Sequence, residues 1–257
     1  MYSPAALISS LPMLRRIVPS ILRRYAKIFK HRYSIESRMG ALFLIDQKNS
    51  VDRNLLIKGT WEPKQLAELE KQILAAKKQG QQCVFLDIGA HGALYSILLK
   101  SKGLVDRLIA FEPEPTNLIQ LKANLFINQM IDDIEVIDKA ASGEVGTIPF
   151  YVAYEGNRGG SRMSEQGEDI VEKRIDVQAA PIDDMVDLKD ALVVAKIDVE
   201  GSELVVLSGM LQTIQNNRCL FQIESFDDRI EELKAWMEEH GCRHLSTVDY
   251  DHFFLKD

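Results

Sequence analysis

At 257 residues, with 46% hydrophobic and 27% charged side chains, the chain can bury one sizeable core and leaves little room for two independent domains. Three cysteines, Cys83, Cys219 and Cys242, are too few for a disulfide framework and point to a reducing compartment such as the cytoplasm. A net charge of −7 argues against a nucleic-acid partner, and no stretch approaches the roughly 18 uninterrupted apolar residues of a spanning helix.

The charge is unevenly spread. Residues 1–32 hold seven Lys or Arg and no acid, which leaves 24 basic against 38 acidic residues for the rest. On a helical wheel Leu14, Ile17, Ile21, Leu22, Tyr25, Ile28 and Phe29 share one side and the basic residues the other, with Pro19 interrupting. Basic residues recur too often for the apolar core, about 7 residues long, of a secretory signal. Residues 1–32 are therefore expected to form a basic amphipathic helical extension. It would lie on an anionic membrane surface, or pack on the core or on a partner subunit.

A pre-core segment is expected over residues 33–80, with a polar helix from Pro63 to Lys78. Beyond it, β-rich runs alternate with helical spacings. The runs are "CVFLDI" (83–88), "RLIAFE" (107–112), "IEVID" (134–138), "TIPFYV" (147–152), "LVVAKID" (192–198) and "LFQIE" (220–224). Helices are marked by Leu94, Ile97 and Leu98, by Leu118, Leu121 and Leu125, by Leu204, Leu207, Leu211 and Ile214, and by Ile230, Leu233 and Trp236. The pattern predicts a doubly wound α/β domain over residues 81–257, its sheet mostly parallel, closed by a C-terminal β-hairpin within "RHLSTVDYDHFFLKD". The Gly/Arg/Ser-rich stretch 155–169 reads as a mobile, solvated loop, with contact of Arg158 and Arg162 to an acidic or sugar substrate as the alternative.

In such a sheet ligands sit beyond the carboxyl ends of the strands. Three acid-bearing strand ends meet there. Asp87 precedes a glycine turn in "FLDIGAHGALYS" (85–96), spaced G-x-x-G rather than as the dinucleotide G-x-G-x-x-G. Glu112 ends the next strand, where a carboxylate can accept from both hydroxyls of a ribose, and Pro113 and Pro115 follow it. Asp198, Glu200 and Glu203 surround Gly201 in "KIDVEGSE" (196–203). His240, Cys242 and His244 alternate, but Gly241 interrupts them and no fourth ligand stands out, so no metal site is expected.

The set "FLDIGAHGALYS", "LIAFEPEPTNLIQLKANLFINQ", "IDKAASGEVG" and "AKIDVEGSELVVLSG" resembles the FkbM-type family of S-adenosylmethionine (SAM)-dependent methyltransferases. The likeness covers roughly residues 82–225, and "NLLIKGTWEP" (54–63) is similar to the segment these proteins carry before the core. The family usually shows D-x-G-A-N-x-G in the first loop; here His91 stands for Asn and the second glycine comes one place early, at Gly92, with Ala93 after it.

The resemblance implies a seven-stranded, Rossmann-like class I sheet with SAM as cofactor. Asp87, Gly89, Ala90 and His91 would hold the methionine part, Glu112 and Pro113 the ribose side, and Lys139 and Ala140 the adenine. Asp198 and Glu200 would face the methyl group or the acceptor, with a contact that only binds SAM the rival reading for Asp198. The acceptor implied is a hydroxyl on a sugar, glycolipid, polysaccharide or other natural product, and the basic end suits a lipid-linked glycan at the inner face of a bacterial membrane. A hydroxyl must lose its proton; Asp198 is the first choice of base, Glu200 the second and His91 the third, with a helix-dipole role the rival reading for Glu200. Two other classes remain open: a SAM-fold scaffold without catalysis, and a nicotinamide-dependent oxidoreductase.

Overall fold

A computed structural model describes residues 32–163, 171–226 and 229–257. Of the basic extension only Arg32 falls inside them, paired with Asp46 at 2.7 Å; the amphipathic helix expected before it lies outside the described residues. Among the described residues no helix is long and apolar enough to cross a membrane.

The centre is a seven-stranded sheet. Its strands are β3 (Cys83–Ile88), β4 (Arg107–Phe111), β5 (Ile134–Ile137), β9 (Leu192–Ile197), β10 (Arg218–Glu224), β11 (Arg243–Val248) and β12 (Asp251–Lys256). They lie in the order β5-β4-β3-β9-β10-β12-β11. β12 runs antiparallel to both its neighbours, while β5, β4, β3, β9 and β10 are parallel. The closing hairpin is thus present, with its second strand inserted beside β10. This order, with one reversed strand next to the edge, is the class I methyltransferase sheet.

Side-chain alternation divides the core between the two faces. Phe85, Leu108, Val194, Leu220 and Phe253 meet α2 (Pro63–Ala76), α3 (Leu94–Ser101) and α4 (Pro115–Ile127) on one face. Leu86, Ile109, Val193, Phe221 and Phe254 meet α6 (Glu203–Ser208), α7 (Leu211–Asn216) and α8 (Ile230–Glu239) on the other. One continuous helix was expected over 204–214. The chain breaks at Gly209 instead, where a Cβ would lie 1.9 Å from the Ser142 carbonyl oxygen.

Residues 33–80 are built into this core. β1 (Tyr33–Arg38) and β2 (Ala41–Asp46) form a hairpin whose Phe43 and Ile45 are buried with Phe85 and Leu125. Among the described residues, the edge of β2 away from β1 meets no strand. Its backbone groups are taken up by amides spaced four apart on α4. Gln120 donates to the Leu44 carbonyl at 2.8 Å, Asn124 accepts from Leu44 N at 2.7 Å, and Asn128 both accepts from Leu42 N and donates to Leu42 O. Helix α1 (Ser50–Lys58) follows, with Asn49 capping its start and Gly59, at φ +74°, its end.

"TIPFYV" is a strand, as expected, but not of the main sheet. β7 (Gly146–Ala153) pairs with β8 (Val171–Ala180), which also meets the short β6 (Ala140–Ala141), in a separate three-stranded sheet. A 3-10 turn over Glu155–Gly160 leaves β7 and docks against α1.

Candidate active site

One cavity opens beyond the carboxyl ends of β3, β4 and β9. Asp87, Gly89, Ala90, His91, Glu112, Pro113, Lys139, Ala140, Asp198 and Glu200 all line it. The structure therefore gathers every site residue anticipated from the motifs.

The first loop is shaped by crowding. Gly89 has φ +82°, and a Cβ there would sit 1.9 Å from the carbonyl oxygen of Asp198, so only glycine lets β9 come this close. His91 and Ala93 also adopt left-handed backbone, at φ 47° and 58°. Gly92 does not; a Cβ there would meet the Asn124 amide at 3.2 Å, the same amide that donates to Gly92 O at 2.9 Å. Alanine thus occupies the left-handed position where the family carries glycine, at a cost of about 1 kcal/mol. Asp87 is buried, and its carboxylate accepts from the backbone N and hydroxyl of Ser96 at 3.2 and 2.7 Å, tying β3 to α3. Burial pushes its pKa up.

Glu112 is also buried. One carboxylate oxygen accepts from His91 N and the other from Glu114 N, both at 2.8 Å. Burial raises its pKa to about 7 against these hydrogen bonds. Each oxygen keeps a lone pair for a further donor, which suits a vicinal diol.

His91 is held neutral. Asn49 Oδ1 accepts from Val51 N, which turns its Nδ2 toward His91 Nε2 at 3.0 Å, so Nε2 is the acceptor and Nδ1 bears the proton. Burial, helped by the Arg158 charge, lowers its pKa to about 4.

Charge concentrates at the ends of β9 and β10. The Lys196 ammonium is buried, 2.7 Å from Asp198 Oδ2 and 4.9 Å from the centroid of the Tyr95 ring. Burial opposes that charge, yet Asp198, Glu62 and Asp87 together hold its pKa well above the usual value. Tyr95 donates to Glu62 at 2.8 Å and receives a hydrogen bond from Gln222, which also donates to Asp251. Among the described residues, Asp198, Glu200 and Glu224 place carboxylate oxygens within 4.8 Å of one another; Lys196 is the cation beside them. Glu200 lies outside α6, at φ 50°. The acid in the first turn of that helix is Glu203, whose carboxylate accepts from Gly201 N at 2.6 Å, so the dipole role belongs to Glu203.

The roof combines Trp61 and Glu62, which the sequence offers as a lid edge or as simple packing, with elements that the motifs did not reveal. Ser50 donates to Asn157 at 3.0 Å, joining α1 to the 3-10 turn, and Trp61, Glu62, Tyr95 and Phe150 complete the wall. Arg158, expected in a solvated loop, is buried. Its guanidinium lies 3.4 Å from Asp46 and donates to Gln120 at 2.6 Å. Arg162 is buried as well, while residues 164–170 lie outside the described residues. His240 stacks on Trp236 with ring centroids 3.7 Å apart, Cys242 is buried, and His244 packs its edge on Phe254. Glu224 and Lys196 are the functional candidates that sequence reasoning missed. Lys196 was visible in "KIDVEGSE" as a charge inside an apolar strand; Glu224 ends its strand without a motif.

The sequence profile of the methyltransferase FkbM domain matches residues 87–243, more than half of the chain. A methyltransferase sdnD from Sordaria araneosa is 26% identical over 155 residues, 49% of this chain and 59% of that protein. The match thus spans less than two thirds of that relative's length. Among solved structures, methyltransferase FkbM from Methylobacillus flagellatus KT has a TM-score of 0.47 and 17% identity, over 95% of this chain and 59% of that one. TYW2 from M. jannaschii, solved with AdoMet, has a TM-score of 0.41 and 15% identity, over 88% and 85% of the two chains. By its matched domain, the chain belongs to the FkbM family of SAM-dependent methyltransferases.

Proposed function

We propose that the protein transfers a methyl group from SAM to a hydroxyl oxygen on a sugar, glycolipid, polysaccharide or other natural product. The observation that carries this reading is a single cavity, whose lining we read as two halves. One is formed by the Asp87–His91 loop, Glu112, Pro113, Lys139 and Ala140; the other by Trp61, Glu62, Tyr95, Asp198, Glu200 and Glu224. In the first half, the free lone pairs of Glu112 suit the ribose hydroxyls, and Pro113 and Ala140 offer apolar contact to the adenine. In the second, an aromatic face beside several carboxylates suits a polyhydroxylated ring.

Bound SAM supplies a methyl carbon already activated on a sulfonium. The protein's contribution is then orientation, exclusion of water and a destination for the acceptor's proton. The cluster of Asp198, Glu200 and Glu224 offers such a carboxylate. His91, with its Nε2 lone pair engaged by Asn49, supports the loop instead.

Calorimetric titration tests the donor half. SAM and S-adenosylhomocysteine (SAH) should bind and NAD should not. Glu112→Gln should weaken both adenosyl compounds about 100-fold, since the amide loses the charge and one of the two acceptor oxygens. Equal affinity in the variant would remove Glu112 from the site. The acceptor half is tested with methyl-labelled SAM and a panel of free and lipid-linked glycans. A methyl ether survives mild alkali, so an alkali-labile label would mean a carboxyl acceptor and end the hydroxyl reading. The basic charge of residues 1–32 favours lipid-linked acceptors in a bilayer, and equal rates on free ones would remove that preference.

A further inference from the structure

We propose that Asp198 and Glu224 form a carboxyl pair holding one proton between them, and that the cationic methyl donor, on entering the cavity, expels that proton and leaves Glu224 ready to receive the acceptor's. The proposal rests on the reading of the cavity as the donor and acceptor site.

The geometry begins with β9 and β10, which are adjacent and parallel, so that their carboxyl ends bring Asp198 and Glu224 to the same wall. Their carboxylate oxygens lie within 4.8 Å of each other and of Glu200. Two like charges this close in a half-buried site cannot both ionise without a compensating cation. The nearby ammonium does not compensate both. Lys196 sits on Asp198 Oδ2 at 2.7 Å and fixes the charge there. Burial would raise the pKa of Asp198, but Lys196 and a hydrogen bond from Glu224 outweigh it and keep the group ionised. The Asp198 charge, and burial after it, push Glu224 up to about 10. Glu224 thus carries the shared proton at neutral pH.

Other groups face the pair from each surrounding element. His91, on the first loop, is neutral, and Tyr95, on α3, is held protonated. Glu62 ahead of α2, Asp87 on β3, Asp251 on β12 and Glu200 and Glu203 after β9 add negative charge; Arg229, ahead of α8, binds the Gly201 carbonyl. Against Lys196 and Arg229 stand more acids than cations, so an incoming cation is the charge that this wall accommodates.

SAM carries one positive charge more than SAH, on sulfur. Its entry supplies the second cation that allows both carboxyls to ionise. During transfer the acceptor oxygen bonds to the methyl carbon as the sulfur–carbon pair stays on sulfur; the acceptor's O–H breaks and its proton passes to Glu224. The product state then holds a neutral thioether, and the pair has one proton again. The charge of the site is unchanged through the chemical step.

The test compares SAM with SAH on the full chain. The two share ribose, adenine and amino acid, and below about pH 7 both carry a protonated α-amino group, so proton exchange at Glu112 or at that amine cancels in the comparison there. Titrations in buffers of different ionisation enthalpy should show one more proton released with SAM than with SAH. The ratio of their affinities should rise about tenfold per pH unit between pH 6 and 7. Glu224→Gln retains a hydrogen-bond donor for Asp198 but cannot titrate, and should flatten the ratio. Equal proton release for SAM and SAH in the native chain, or an unchanged pH slope in the variant, overturns the pair. Failure of the native chain to bind either compound overturns the cavity reading and the pair with it. Because the native comparison needs no variant, the outcome does not depend on how the substitution folds.

Discussion

Gly89→Ala is expected to cost about 3 kcal/mol of stability and to weaken SAM at least 100-fold. The new methyl would start 1.9 Å from the Asp198 carbonyl oxygen, in a left-handed backbone region that alanine adopts poorly. The loop cannot slide away. Gly89 N and Ala90 N are both bonded to Phe111 O, at 3.1 and 3.0 Å, while Asp198 N is bonded to Ile88 O at 3.0 Å. Relief would therefore break the junction of β3, β4 and β9, which is the floor of the cavity. Thermal unfolding should drop by roughly 6–12 °C, and calorimetry should show the lost affinity. A variant that keeps both values would mean that the close approach is slack, and Gly89 would lose its special place.

The second large effect is expected from Lys196→Met, for which the side chain is close in volume and only the charge is lost. The ammonium is the counter-charge for Asp198, Glu62 and Asp87, and removing one partner of a buried ionic cluster costs about 3–5 kcal/mol. The sign with pH follows from linkage. In the native chain the Lys196 pKa is raised, so its contribution is fully present below the ordinary lysine value and is lost only as pH rises through the folded one. In the variant the carboxyls lose their cation, and burial lifts their folded pKa values above the unfolded ones. The folded variant then binds more protons than the unfolded chain, and its stability falls as pH rises. The deficit should be small near pH 5 and reach its full size by pH 7. Urea unfolding at the two pH values measures it; a deficit independent of pH would point to packing rather than charge.

The parallel strands and their helices were legible because both patterns are plain: β3 is apolar at all of its buried positions except Asp87, and α4 repeats leucine at 118, 121 and 125. The three acid-bearing strand ends were legible for the same reason, since topology sends them to one edge. The β1–β2 hairpin was missed because its turn residues, Met39 and Gly40 at φ 52° and 90°, carry only one glycine as a signal. α1 is short and mostly polar on its outer face, and β8 carries Glu172, Lys173, Arg174 and Asp176 in the run from which β propensity is judged. Glu224 escaped for another reason. Its importance comes from the strand beside it, and adjacency of β9 and β10 is a property of the sheet rather than of either segment. Arg158 was misread because composition describes a loop's average fate, whereas Asp46 and Gln120, far away in sequence, decide where this guanidinium rests.

The row of amides along α4 has a wider consequence. A helix here does the work of a neighbouring strand, and one of its amides, Asn124, serves two masters: β2 through Leu44 N and the first loop through Gly92 O. The hairpin and the donor loop are therefore set by a single side chain, although 48 residues separate Leu44 from Gly92 in the sequence. A chain trimmed to the motif-bearing stretch would keep every signature residue, Asn124 included, and lose the Leu44 N–H that fixes this amide. Heredity for this site is counted from the first hairpin, and a graft between relatives that stops at the motifs would transplant the letters without their grammar.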